Sequence, residues 1–145
     1  MEAVIFCGIQ ASGKTTFYLN RFFKTHVRIS LDLLTTRNKE TLFVNTCLRI
    51  HQRFVIDNTN PTKAERKRYI ELAKTQRFTV IGYYFQSAIE ASIERNASRK
   101  GKENVPEIGI RGTHKRLEPP SCDEGFDALY KVTIANGKFV TERMV

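Results

Sequence analysis

Eight consecutive residues, Gly8-Ile9-Gln10-Ala11-Ser12-Gly13-Lys14-Thr15, fit the pattern G-x-x-x-x-G-K-[ST] without a mismatch. No other stretch constrains the fold as tightly. The pattern works only as a loop that leaves a buried strand and enters a helix, with successive backbone N–H groups curled around an anion. The flanks meet that requirement. The apolar run Ala3-Val4-Ile5-Phe6-Cys7 precedes it, and an amphipathic stretch from Thr16 to Lys24 follows. Glycine lets the loop curl, and the helix N-terminus adds its dipole, so the loop favours phosphate. The expected ligands are ATP and Mg²⁺. The phosphate set is Gly8, Gln10, Ala11, Ser12, Gly13, Lys14, Thr15 and Thr16, with Lys14 on the outer phosphates and the Thr15 hydroxyl on the metal.

Beyond the loop, strand-like and helix-like segments alternate. Strands are expected at residues 2–7, 27–30, 54–56 and 78–85, and helices at 15–24, 31–49, 62–75 and 87–98. Phe17, Leu19, Phe22 and Phe23 are available for the buried side of the first helix. Thr62 with Glu65 three residues on reads as a capping box. Such alternation implies a mostly parallel sheet between helical layers, a P-loop three-layer α/β sandwich. Residues 99–120 are basic, poor in apolar residues and broken by Gly101, Pro106, Gly109 and Gly112, which reads as a mobile lid (about 95–116) ending in a short helix. Asn136-Gly137 between two β-rich runs predicts a terminal hairpin. With 145 residues and no linker, the chain is expected to be a single domain.

Composition narrows the setting. The net charge of +9 attracts phosphate-rich partners. The three cysteines, Cys7, Cys47 and Cys122, form no metal-ligand spacing with the histidines. No apolar run is long enough for a bilayer, and no basic-then-hydrophobic leader opens the chain, so a reducing cytoplasm is expected.

Three further constellations carry chemistry. Asp57 ends an apolar strand and is expected to help hold Mg²⁺, while Asn58, Thr59 and Asn60 could position phosphates or substrate. Asp32 follows the second strand, where a carboxylate could accept a proton from an attacking hydroxyl or cap the next helix. Arg95 and Arg99, four apart, are expected on one helix face. Arg99 would be a lid residue that stabilises charge on the transferring phosphoryl group. Arg111, His114, Lys115 and Arg116 form a second basic cluster that could hold nucleic-acid phosphates.

Gly8–Thr16, Ile29-Ser30-Leu31-Asp32, Val55-Ile56-Asp57-Asn58-Thr59-Asn60-Pro61 and Glu94-Arg95-Asn96-Ala97-Ser98-Arg99 occur in the order seen in 5′-polynucleotide kinases. Over roughly residues 3–130 the sequence resembles the kinase module of those enzymes. The resemblance implies that Lys14 and Thr15 serve ATP and Mg²⁺, that Asp32 activates a 5′-hydroxyl, and that Arg99, supported by Arg95, acts on the transferring phosphate. It also implies that Thr59 and Asn60 form a polar pair below the phosphates. Two positions depart from the family. Gln10-Ala11 stands where Pro-Gly is frequent, and Thr35 stands where some members grip the acceptor with arginine, although Arg37 is near. The expected reaction is transfer of the γ-phosphoryl of ATP to the 5′-OH of a DNA or RNA end. A small metabolite or nucleoside as acceptor, or an ATP-switched nucleic-acid-binding module, remain the alternatives.

Overall fold

The computed structural model describes residues 1–144. Its centre is a six-stranded sheet, made of β1 (Glu2–Cys7), β2 (Val27–Ile29), β3 (Phe54–Ile56), β4 (Thr79–Phe85), β5 (Ala128–Ala135) and β6 (Lys138–Arg143). The spatial order is β2-β3-β1-β4-β5-β6. The first five are parallel, and β6 returns antiparallel to β5. Asn136 and Gly137 at the turn both take positive φ, 52° and 72°, as the tight hairpin requires.

Strand alternation sorts the core into two layers. Ala3 and Ile5 of β1 face one side, with Ile29, Phe54, Ile56 and Val80. That side is covered by α3 (Arg37–Arg49) and α4 (Lys63–Thr75) through Val44, Leu48, Tyr69, Ile70 and Ala73. Val4 and Phe6 face the other side, against α1 (Lys14–Arg21), where Phe17, Tyr18 and Phe22 meet Tyr83, Phe85 and Val132. Phe6 and Phe85 stand edge to face at 4.9 Å and Phe17 and Phe139 at 5.2 Å, a packing their ring quadrupoles favour. The three-layer α/β sandwich expected from the motif order is the architecture found.

Several boundaries differ. α1 stops at Arg21, and Phe22 N–H closes the last turn onto Tyr18. Phe17 and Phe22 are buried as expected, whereas Leu19 and Phe23 are exposed. The stretch 31–49 is two helices, α2 (Leu31–Leu34) and α3. Thr35 breaks it with a φ of 68°, and the Thr36 hydroxyl caps α3 by accepting from Lys39 N–H. Leu33, Leu42 and Ile50 consequently face outward. The Thr62–Glu65 capping box forms as read.

The lid region holds α5 (Ile89–Ala97), a 3₁₀ turn at Gly101–Glu103 and α6 (Glu107–Arg116). Its intervening segment is tightly tied. Asn96 donates to Val105 O at 2.7 Å and accepts from Val105 N–H at 2.9 Å. Asn104 donates to the carbonyls of Asn96 and Arg99. α5 ends at Ala97, so Arg99 lies beyond it and does not share a helix face with Arg95 as the four-residue spacing suggested.

Candidate active site

The parallel strands end on one edge of the sheet, and the loops there hold the predicted residues. Gly8 leaves β1 where β4 passes close. A Cβ at Gly8 would stand 2.8 Å from Phe85 Cβ, so no larger residue fits without backbone movement. Gly8 N–H donates to Thr59 O at 2.9 Å, which fastens the phosphate loop to the segment after β3. Gly13, at φ 97°, turns the chain into α1. Ala11 also adopts a positive φ, 57°, in the left-handed region that glycine enters without strain.

Lys14 is buried and folds back into its own loop. Its ammonium donates to Gly8 O at 2.9 Å and Ile9 O at 2.7 Å, inside the ring of atoms that the motif wraps around phosphate. Burial lowers its pKa from 10.5 to about 8, and the Asp57 carboxylate opposes the drop. Burial also pushes the Cys7 thiol up to about 11, so it is neutral at physiological pH and no nucleophile.

On the metal side, Thr15 Oγ1 donates to Asp57 Oδ2 at 3.0 Å. Asp57 is buried at 4% exposure. A hydroxyl beside a carboxylate is a hard-oxygen pair suited to Mg²⁺, which commonly takes few protein ligands and completes its shell with water and phosphate. Thr15 and Asp57 would hold the ion, which would screen phosphate charge. Among the described residues there is no cluster of three or more His, Cys, Asp or Glu side chains able to form a protein-only metal site. Thr16 is exposed on the first turn of α1.

Asp32 sits in the first turn of α2 and is exposed. Ser30, not Asp32, caps that helix, since its hydroxyl accepts from Asp32 N–H at 3.2 Å. The capping alternative for Asp32 is thereby removed, and its carboxylate has no side-chain hydrogen bond among the described residues.

The polar tetrad after β3 divides its tasks. Asn58 does not face the phosphate loop. Its Oδ1 accepts from Leu31 N–H at 2.9 Å, and its Nδ2 donates to Glu40 Oε2 at 2.7 Å. Asn60, with φ 43°, donates to Phe6 O at 2.8 Å and is buried. Both amides hold elements together here: Asn58 links α2 to α3, and Asn60 ties the segment after β3 to β1. Thr59 contributes its carbonyl to Gly8 N–H, as above. Glu40 had no sequence signal: a lone Glu on a helix usually faces water. It is fully buried, and Oε1 accepts from Tyr69 Oη at 2.7 Å and Arg37 at 3.1 Å. Arg37 also donates to Tyr69 Oη at 2.9 Å. Its guanidinium thus reaches Tyr69 of α4.

The lid reaches the loop directly. Arg95 Nε donates to Ala11 O at 2.7 Å, and its Nη2 to Ser87 Oγ at 2.7 Å. Gln10 donates to Thr113 Oγ1 of α6 at 3.0 Å. Arg99 donates to Glu103 O at 3.1 Å. Arg111 pairs with Glu107 at 3.3 Å and with Glu90 at 3.6 Å, so the structure places it in a surface ion-pair network, distant in character from a free phosphate grip. Arg116 approaches Glu65 at 3.8 Å.

A cleft of about 500 Å³ opens between Arg95, Ser12, Gln86, Ser87, Thr133 and Ile134. Four of these residues, Gln86, Ser87, Thr133 and Ile134, lie outside every motif, and only the sheet order brings them to the phosphate loop. α2, which carries Asp32, borders an apolar groove of about 390 Å³ lined by Leu34, Lys39, Leu42, Phe43 and Thr46. Among the described residues no helix is long and apolar enough to cross a membrane.

Comparison with known proteins bears on the fold and the family. A family profile described as an AAA domain matches residues 34–120. The bifunctional polynucleotide phosphatase/kinase of Schizosaccharomyces pombe is 29% identical over 135 residues, 90% of this chain and 33% of that protein. The chain thus spans about a third of the length of that curated relative. Kti12 of Chaetomium thermophilum, solved in complex with ADP-AlF3, superposes with a TM-score of 0.69 at 17% identity, covering 90% of this chain and 88% of that one. A gluconokinase from Sinorhizobium meliloti 1021 gives 0.65 at 14% identity, over 93% and 83% of the two chains. The fold is that of P-loop proteins.

Proposed function

The chain belongs to the AAA domain family, and from that premise we propose that it is an ATP-dependent phosphotransferase that moves the γ-phosphoryl group of ATP to a hydroxyl, the 5′-OH of a DNA or RNA end. One observation carries the reading: Lys14 is buried inside the phosphate loop, with the next residue, Thr15, bonded to Asp57 and Arg95 of the lid bonded to Ala11 O of the same loop.

In this mechanism the loop amides and Lys14 bind the β- and γ-phosphates. Occupying the loop requires Lys14 to exchange its bonds to Gly8 O and Ile9 O for phosphate oxygens. The cleft between Arg95 and the β5–β6 hairpin takes the nucleoside. Asp32 accepts the proton of the attacking hydroxyl, and Arg99 stabilises the charge that builds on the equatorial oxygens. The docked lid excludes water and so favours a hydroxyl acceptor over hydrolysis. The acceptor's base would use the apolar groove beside α2.

The polynucleotide acceptor is supported by the likeness to the phosphatase/kinase and by the net charge of +9. One observation favours a second reading, a small hydroxyl compound. Arg37 is tied to Glu40 and Tyr69, and Thr35 stands where an acceptor-gripping arginine would be. The test is transfer from γ-labelled ATP, with Mg²⁺, to 5′-OH oligonucleotides and to a panel of sugars and nucleosides. Label on oligonucleotides alone supports the first reading. Label confined to a small compound replaces it with the second, and hydrolysis with no acceptor labelled refutes both.

A further inference from the structure

Arg28 is the charged residue at the centre of the three-residue strand β2. Register fixes where it goes. Arg28 pairs with Val55, and Asp57 N–H donates to Ile29 O at 2.8 Å. Paired residues share a face, so Arg28, Val55 and Asp57 lie on the α1 side of the sheet, where Thr15 begins α1. Arg28 Nε donates to Asp57 Oδ2 at 2.8 Å and its Nη2 to Thr15 Oγ1 at 3.3 Å. Thr15 donates its proton to that same Oδ2 at 3.0 Å, which closes a ring. The Asp57 side chain is 2% exposed and that of Arg28 19%.

The ring engages one carboxylate oxygen of Asp57, Oδ2, and the Thr15 hydroxyl, and it sets the Arg28 guanidinium where a metal between them would lie, leaving Oδ1 outside the ring. A carboxylate oxygen has two lone pairs, and Oδ2 has given both, one to Thr15 and one to Arg28. The Thr15 hydroxyl has given its proton to Asp57 and a lone pair to Arg28. A free Mg²⁺ ion would have to shed water and break a largely buried ion pair in return for one carboxylate and one hydroxyl. A cation arriving with a nucleotide brings phosphate oxygens as further ligands, and their charge gives the displaced guanidinium a new partner.

From these contacts we propose that Arg28 is a resident cation at the metal position, which neutralises Asp57, bars free divalent ions and yields only to a metal–nucleotide complex. Metal and nucleotide then bind cooperatively, and Arg28 sets the coupling. The inference rests on reading Thr15 and Asp57 as the metal pair.

The test is Mn²⁺ binding followed by electron paramagnetic resonance, with and without ADP. In Arg28→Met, Mn²⁺ alone should bind at least tenfold tighter than in the wild type, the coupling between Mn²⁺ and ADP should fall by a similar factor, and adding Asp57→Asn should abolish the gain. Equal Mn²⁺ affinity in wild type and Arg28→Met, or a gain that survives Asp57→Asn, overturns the proposal. In the ADP-bound wild type, Asp57→Asn should weaken Mn²⁺ binding. If it does not, the metal-pair reading itself fails; if it does while Arg28→Met gains nothing, only the role of Arg28 falls. Should Arg28→Met not fold, the wild type decides through its arginine Nε–H resonances. The Arg28 signal should be unmoved by Mg²⁺ alone and shifted by Mg²⁺ with ADP, and a shift with Mg²⁺ alone refutes the proposal.

Discussion

Nucleotide binding should take up a proton, and Lys14 sets how much. Its pKa in the unliganded loop is about 8 rather than 10.5, because burial disfavours the ammonium. That drop corresponds to roughly 3 kcal/mol of differential stabilisation. Phosphate oxygens around the ammonium remove the penalty and return the pKa toward or above its ordinary value. Lys14 is then half protonated at pH 8 before binding and fully protonated after it. Uptake should be roughly half a proton at pH 8 and about 0.9 at pH 9, and near zero at pH 7. The bound state holds more protons, so affinity falls as pH rises above 8, by about eightfold between pH 8.5 and 9.5. Calorimetric titration with ADP in buffers of different ionisation enthalpy reads the uptake directly, at pH values where the phosphates no longer titrate. Lys14→Met should abolish it. Uptake near zero at pH 9 in the wild type, or an affinity flat from pH 8 to 10, refutes the reasoning. Between pH 8 and 10.5 the unfolded chain binds more protons at Lys14 than the folded one, so stability without nucleotide should rise with pH through that window.

Asp32→Asn should lower phosphoryl transfer by about 10²–10⁴-fold while ADP affinity, read by calorimetry, stays unchanged. Glu40→Gln should cost about 3 kcal/mol in urea denaturation, since Asn58, Tyr69 and Arg37 all donate to this buried carboxylate. Ala11→Gly should leave the fold intact and raise stability by up to about 1 kcal/mol, because Ala11 holds a positive φ that glycine adopts without strain. Phe17→Ala, which removes a ring packed against Phe6, Tyr83, Phe85 and Phe139, should destabilise by about 3–5 kcal/mol in the same assay.

The strand–loop–helix of the G-x-x-x-x-G-K-T pattern is legible in the chain because it is local. The phosphate loop, its strand and its helix are contiguous, so the residue pattern carries the geometry. The capping box at Thr62–Glu65 and the Asn136-Gly137 hairpin are local in the same sense. What sequence could not supply depends on which distant elements meet. The break at Thr35 between α2 and α3 was hidden by a continuous run of helix-compatible residues. The amides of Asn58 and Asn60 looked available for substrate because nothing along the chain points to Glu40 or Phe6 O as their partners. Arg28 carries no signal along the chain that distinguishes it from other surface charges. Only the β2–β3 register sets it against Asp57. The cleft beside Arg95 joins the segment just after β4, Gln86 and Ser87, to Thr133 and Ile134 of β5, which are neighbours only through sheet order.

The central claim is that Lys14, Asp57, Arg99 and Asp32 form one phosphoryl-transfer site with a hydroxyl acceptor. A crystal structure of the protein with ADP, AlF₃, Mg²⁺ and a 5′-OH oligonucleotide tests it most directly. The account predicts the acceptor oxygen in line with the aluminium and the ADP oxygen, about 2.6–3.2 Å from an Asp32 carboxylate oxygen, with Arg99 on the fluorides. An oligonucleotide bound elsewhere, or a water in the attacking position with Asp32 turned away, would contradict it.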